Sequence, residues 1–366
     1  MTEMFQTERF QVVHGTDAEG DPIFSLLLKR TYDIDPSGRL SRSAETSELM
    51  KTDEYYDRGD PEWATVKFEA DLVPFKLLTD VVVIGKAYAP EGCAVPEMQI
   101  EIGVAGSRKV IHVFGDRECR HNPERPPTVT DPVPFQMMEV RYERAFGGKD
   151  EISDPLTPIV YPRNDLGCGL VLKNLREQVE HLRLPNLEDP SDLLTPDRIV
   201  LNDPYRWNSL PLPQGFGWVQ RNWYPRSSFV GSMPPYLGPD DVMREEELGL
   251  VPKRQIALSR QLKLPSYDPR FNNGASTGLM FPPFTGSETV QLIGLTPSGR
   301  LDFALPAERP KLLLDISLGE NELDPVLHTV CIRPDEMQVD LVWRGAHPYP
   351  GLDWLPQMKR LHAEVY

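Results

Sequence analysis

Apolar and polar positions along the chain fall into short runs closed by turn residues. Ile23-Phe24-Ser25-Leu26-Leu27-Leu28-Lys29-Arg30-Thr31-Tyr32-Asp33-Ile34 is a β-compatible run that stops at Asp35-Pro36-Ser37-Gly38, a proline-then-glycine turn. Leu78 to Tyr88 is aliphatic and β-branched and ends at a second such turn, Ala89-Pro90-Glu91-Gly92. Met98 to Val104 alternates apolar with polar or glycine, the period of a half-buried strand. Ala105-Gly106-Ser107 then leads into Lys109 to Phe114, which predicts a hairpin.

The last quarter follows the same grammar. Glu288 to Leu295 runs into Thr296-Pro297-Ser298-Gly299 and on through Arg300 to Pro306, with further strands expected at Lys311 to Leu318, His328 to Ile332 and Gln338 to Arg344. Pro-Ser-Gly-Arg-Leu occurs twice, at Pro36 to Leu40 and at Pro297 to Leu301, too short a likeness to establish a duplication. The predicted fold is mainly β, with two β-sandwich-like lobes. They comprise an N-terminal lobe over 1–149 and a C-terminal lobe and tail over 286–366, joined by a largely irregular, proline- and aromatic-rich region over 150–285. Two short helices are expected in that region. Asn174 to Leu182 carries Leu175, Val179 and Leu182 at helical spacing, and Asp240 to Leu248 opens on a capping aspartate.

Composition sharpens this picture in two places. The chain has 37 prolines among 366 residues, and proline is excluded from helix interiors and central strands, so much extended, irregular backbone must separate the elements. The net charge of −16 argues against nucleic acid and against an anionic membrane surface, and it suits either solubility alone or a partner with a basic face. The beginning of the sequence lacks a basic-then-apolar signal pattern, and the longest aliphatic run, Val81 to Ile84, cannot span a bilayer, so a cytoplasmic protein is expected.

Reactive chemistry is sparse. Cys93, Cys119, Cys168 and Cys331 form no C-x-x-C pair, and Cys119 with His121 has no second pair of ligands at metal spacing. Gly215-Phe216-Gly217 lacks the third glycine of a dinucleotide loop. Asp116, Glu143, Glu188 and Asp189 could supply the two carboxyls of a glycosidase, but each stands near an arginine or a turn that gives it a structural role. No cofactor and no metal are implied.

Several segments in order carry a resemblance. They are Trp63 to Lys76, Thr79 to Pro90, Gly115-Asp116-Arg117, Tyr142-Glu143-Arg144-Ala145-Phe146-Gly147-Gly148, Leu184 to Glu188, and Pro213 to Gly217. Arg221, Trp223, Pro225 and Arg226 follow, then Phe271 to Ala275, Leu327 to Ile332 and Val342-Trp343-Arg344. This set resembles domain-of-unknown-function family 2169, found as accessory proteins of bacterial type VI secretion systems. The Tyr142 to Gly148 heptapeptide is its most specific piece. The sequence departs from the family where Cys119 stands near the place of an aromatic, where Asn164-Asp165-Leu166-Gly167 replaces Asn-Pro-Val-Gly, and in an insertion over Glu245 to Gln261.

The resemblance implies a non-catalytic adaptor or chaperone that binds a secreted effector or its PAAR-type tip protein for loading onto the spike, with the spike protein as a further candidate partner. The residues expected to bind protein are Tyr142, Glu143, Arg144, Phe146, Arg221, Trp223 and Arg226, because Arg, Trp and Tyr dominate interface hot spots. The same residues would equally suit a buried scaffold of ion pairs and turns. Gly147-Gly148, after a strand-like Met137 to Tyr142, is expected to form a tight turn with positive φ. The rival function is a β-rich carbohydrate-active enzyme using the paired carboxylates; a third is an assembly component with no loading role.

Overall fold

A computed structural model describes residues 10–18, 21–57, 64–122, 125–150, 156, 158–171, 181–199, 207, 209–230, 268–316, 320–348 and 361–365. Strands dominate, and the helical pieces among these residues are short 3-10 turns. The larger sheet has seven strands. Its path runs Phe10–Thr16, Pro22–Ile34, Gln338–Pro348, Val326–Arg333, Thr79–Val83 and Met280–Phe281, with Leu40–Arg42 also paired to Pro22–Ile34. Every pairing is antiparallel except that of Val326–Arg333 with Thr79–Val83. A five-stranded antiparallel sheet orders Leu187–Glu188, Ser107–Phe114, Glu97–Val104, Thr289–Ile293 and Arg300–Ala304.

The mainly-β expectation holds, but the sheets do not follow the boundaries at 149 and 286. The Pro22–Ile34 strand pairs with Gln338–Pro348 from Ile23↔Pro348 to Asp33↔Gln338, and Glu97–Val104 pairs with Thr289–Ile293. Both sheets therefore mix strands from the two expected lobes. A buried strand must find partners for its backbone groups on both sides, and here the second partner comes from the far end of the chain.

One apolar cluster joins the sheets, with Phe24, Leu26, Leu28, Val81 and Leu341 of the larger meeting Ile100, Ile102, Ile111, Val290 and Leu301 of the smaller. Successive strand residues face opposite ways, which explains the mixed run from Ile23 to Ile34. Phe24, Leu26 and Leu28 enter the cluster, while on the other face Ser25 donates to the Pro74 carbonyl, Lys29 pairs with Asp71 at 2.8 Å and Thr31 donates to Asp340. The five-stranded sheet keeps one wet face: Arg300–Ala304 alternates exposed and buried along its length.

Local predictions differ in detail. Leu78 to Tyr88 is two strands in different sheets, because Lys86–Tyr88 leaves the large sheet to pair with Met137–Glu139. Met137 to Tyr142 is a strand only as far as Glu139; Tyr142–Arg144 is a 3-10 turn. Of the helix expected at Asn174 to Leu182, the end is strand His181–Arg183 paired with Glu118–Asn122; residues 174–180, the expected helix at Asp240 to Leu248 and the insertion at Glu245 to Gln261 lie outside the described residues. Among the described residues no helix is long and apolar enough to cross a membrane.

The two Pro-Ser-Gly-Arg-Leu copies form equivalent turns: Gly38 N–H donates to the Asp35 carbonyl at 2.8 Å and Gly299 N–H to the Thr296 carbonyl at 2.9 Å, with φ of 82° and 80°. Their surroundings differ. A Cβ on Gly38 would stand 1.8 Å from the Asp302 carbonyl oxygen, whereas one on Gly299 meets nothing within 4 Å. Gly299→Ala should cost about 1 kcal/mol, the backbone penalty alone. Gly38→Ala should cost at least ~1 kcal/mol more, because the first turn must lift off the five-stranded sheet. Equal losses in denaturant unfolding would contradict this seating.

Candidate functional site

The heptapeptide Tyr142 to Gly148 is locked to the segment from Asn164 to Leu170. Phe146–Gly147 pairs in parallel with Cys168–Gly169, Cys168 N–H donates to the Ala145 carbonyl at 3.1 Å and Leu170 N–H to the Gly147 carbonyl at 3.2 Å. Asn164, fully buried, fastens the two: its Nδ2 donates to the carbonyls of Tyr142 (2.8 Å) and Phe146 (3.1 Å), and its own carbonyl accepts from Gly148 N–H at 2.8 Å. A Cβ on Gly147, where φ is 151°, would lie 2.1 Å from the Asn164 carbonyl oxygen. The glycine pair thus serves a close crossing of two segments rather than the tight turn expected.

Around this crossing the predicted binding residues turn inward. Trp223, 1% exposed, packs edge-to-face on Tyr142 (5.3 Å between ring centres) and donates from Nε1 to Asp165 Oδ1 at 2.7 Å. Phe146, also buried, belongs to a second apolar cluster formed mainly by the middle region. There Phe146, Tyr161, Trp207 and Tyr224 meet edge to face in succession, and the Arg163 guanidinium lies 4.0 Å from the Trp207 ring centre. Glu143 accepts from Thr65 N–H (2.8 Å) and its hydroxyl (2.9 Å). Arg144 donates to Asn186 Oδ1 at 3.1 Å and lies 3.4 Å from Asp116.

Arg226 is 4% exposed, and each of its three nitrogens donates a hydrogen bond. It donates to Glu69 Oε1 (2.7 Å) and to the carbonyls of Val219 (2.6 Å) and Phe271 (3.0 Å). Arg221 shares Glu69 at 3.1 Å and pairs with Asp53 at 2.8 Å, yet keeps 36% of its side chain in solvent. The expected surface is therefore corrected: Tyr142, Phe146, Trp223 and Arg226 are interior scaffold, because each aromatic is needed to fill the core and Arg226 neutralises a buried acid. Glu143, Arg144 and Arg221 are partly exposed.

A buried node missed at the sequence level supports this region. Asp80, in the fully buried strand Thr79–Val83, accepts from Lys76 Nζ (2.8 Å), Asn273 Nδ2 (3.0 Å), Gly274 N–H (3.0 Å) and Ala275 N–H (3.3 Å). Lys76 also donates to Thr329 (2.9 Å) and lies over the Trp218 ring at 5.1 Å. The signal was a lone aspartate inside an otherwise aliphatic strand. Beside it, buried His328 is held well below its usual pKa by desolvation and by the charges of Lys76 and Arg344, so it stays neutral.

Two cavities flank the scaffold, and the segment from Trp218 to Arg226 contributes to the walls of both. The first, of about 570 Å3, is lined by Lys109, Tyr142, Asp189, Gln214, Tyr224 and Ser276 among others. The second, of about 640 Å3, is lined by Asp53, Tyr55, Asp165, Leu166, Gln220 and Arg221 among others. The acids considered for glycoside hydrolysis are engaged separately. Asp116 accepts from Asn186 Nδ2 at 3.0 Å, and Glu188, 2% exposed, pairs with Arg117 and accepts from Leu194 N–H at 2.6 Å. Asp189 accepts from the Ser191 N–H at 2.8 Å and hydroxyl at 2.6 Å. Burial raises the Glu188 carboxyl's pKa, and Arg117 opposes the shift. Among the described residues no group of three or more His, Cys, Asp and Glu side chains could hold a metal ion.

The family described as "Uncharacterized protein conserved in bacteria (DUF2169)" matches residues 19–344. No curated protein and no solved structure matches the chain.

The burial pattern separates three neighbours by their expected cost. Trp223→Ala should destabilise by ~3–5 kcal/mol through the cavity it leaves. Arg226→Ala should cost a similar ~3–5 kcal/mol by removing the buried counter-charge of Glu69, which keeps only half-exposed Arg221, and by unpairing the Val219 and Phe271 carbonyls, and Arg221→Ala at most ~1 kcal/mol because it is solvent-screened. Urea unfolding measures all three; a Trp223 or Arg226 variant as stable as the Arg221 variant would contradict the scaffold assignment.

Proposed function

The chain belongs to the DUF2169 family, and we propose that it is a cytoplasmic, non-catalytic adaptor of a type VI secretion system. In this reading it binds an effector or its PAAR-type tip domain and presents it for loading onto the spike. The secretion context rests on the resemblance of the ordered motifs. The observation that supports a binding role is the pair of cavities sharing one wall, with Arg221 at the second and held from behind by Asp53 and Glu69. A cation fixed in advance loses little conformational freedom when a partner arrives. The net charge of −16 suits a partner with a basic face, and complementary charge speeds encounter.

The carbohydrate-active alternative draws on Asp189, which lines the first cavity. It is weakened by Glu188, whose charge is already matched by Arg117, and by Glu143, held on Thr65.

Co-expression with each effector or tip domain encoded nearby, followed by affinity capture, tests the adaptor reading. At least one should be retained, and Arg221→Ala should weaken that complex by about 5- to 30-fold, the ~1–2 kcal/mol of an interface hot spot, without lowering the melting temperature by more than a few degrees. Failure to retain any of them would overturn the proposal.

A further inference from the structure

Lys109 stands in the Ser107–Phe114 strand and reaches the first cavity, where its ammonium donates to the Ser276 hydroxyl and the Thr277 carbonyl, both at 2.8 Å. Both acceptors are neutral. An ammonium has three donors, and among the described residues no carboxylate lies within ion-pair distance of this one. The other charged groups at the cavity have their own partners. Arg108 turns to Glu101 (2.6 Å), Arg163 lies on Trp207, Asp192 pairs with Arg198 (2.7 Å), and one oxygen of Asp189 is taken by Ser191. Two hydroxyls and an amide, from Tyr142, Ser276 and Gln214, border the same space.

We propose that this cavity receives a carboxylate of a bound polypeptide, with Lys109 as its counter-charge. The inference rests on the adaptor reading, whose partner it specifies chemically. Lys109 is half-buried at the cavity wall, so its ammonium gives up part of its hydration with no anion in contact, and a solvent-open cavity allows that anion to come from outside. A single negative charge fits better than a phosphate dianion, because Asp189 and Asp192 also line the space. Desolvation holds the empty site's ammonium down to about 7, with Asp189 opposing the shift. A docked carboxylate favours the protonated form and raises that value, making the amine less reactive. Burial keeps the Tyr142 hydroxyl protonated, so it can donate to the incoming oxygen.

The test is acetylation of the wild-type protein by acetic anhydride at pH 7, with the Lys109 rate followed by mass spectrometry. The probes are three short peptides and inorganic phosphate. One peptide has a free C-terminus, one has an internal glutamate and an amidated end, and one is amidated and neutral. Both carboxylate peptides, or one of them, should slow Lys109 about fivefold at saturation, as a one-unit rise from about 7 requires at pH 7, and the stronger identifies the source as terminus or side chain. The neutral peptide should have no effect. Lys109→Met should lose calorimetric binding of the same peptide while melting at least as high as wild type, and Lys109→Arg should retain it.

Unchanged Lys109 reactivity with both carboxylates, equal protection by the neutral peptide, or stronger protection by phosphate would each overturn the assignment. Protection without retention of any effector leaves the carboxylate site standing and ends the adaptor reading. Retention of an effector without protection ends the site alone.

Discussion

Two stretches of backbone cross so closely in this protein that side chains are excluded between them, and the candidate site is built outward from that crossing. The heptapeptide from Tyr142 and the segment from Asn164 exchange hydrogen bonds through Gly148, Cys168 and Leu170, with the Asn164 amide closing the remaining gaps. Buried backbone groups must be satisfied, so neither segment can move without leaving carbonyls unmatched in the interior. Tyr142 extends the crossing to Trp223, and Asp165 fixes Trp223 from the other side.

A second set of constraints ties this unit to the sheets. Glu69 holds Arg226 and Arg221, and Asp80 holds Lys76 and the backbone at Gly274. Val219 sits between them, giving its carbonyl to Arg226 and its N–H to the Gly274 carbonyl. The segment from Trp218 to Arg226 is thereby anchored from two directions, although little of it is regular structure. An irregular segment held this way can present a defined wall to two cavities, which is what a binding surface requires.

Most strands and their turns were legible because side-chain alternation and turn chemistry are local. The hairpin through Ala105-Gly106 and the two Pro-Ser-Gly-Arg-Leu turns are examples. The pairing of Pro22–Ile34 with Gln338–Pro348 was not legible, since nothing in either strand names its partner. The polar face of Pro22–Ile34 was present in the sequence as Ser25, Lys29 and Thr31, but the leucines between them masked the period. Composition could not separate surface from interior at Trp223 and Arg226, because aromatic and guanidinium groups serve hot spots and buried ion pairs alike. In the sequence Lys109 is only the start of the second hairpin strand; its acceptors, Ser276 and Thr277, come from a distant part of the chain.

The motif is a rigid interior on which partly exposed groups are mounted. Native-state hydrogen exchange at single residues tests that directly. The amides of Gly148, Cys168 and Leu170 should exchange only with the global unfolding free energy, like those of central strand residues such as Val82 and Leu341. Exchange of these three as fast as the turn amides of Gly92 or Ser191 would contradict it, and would mean that the crossing opens independently of the sheets.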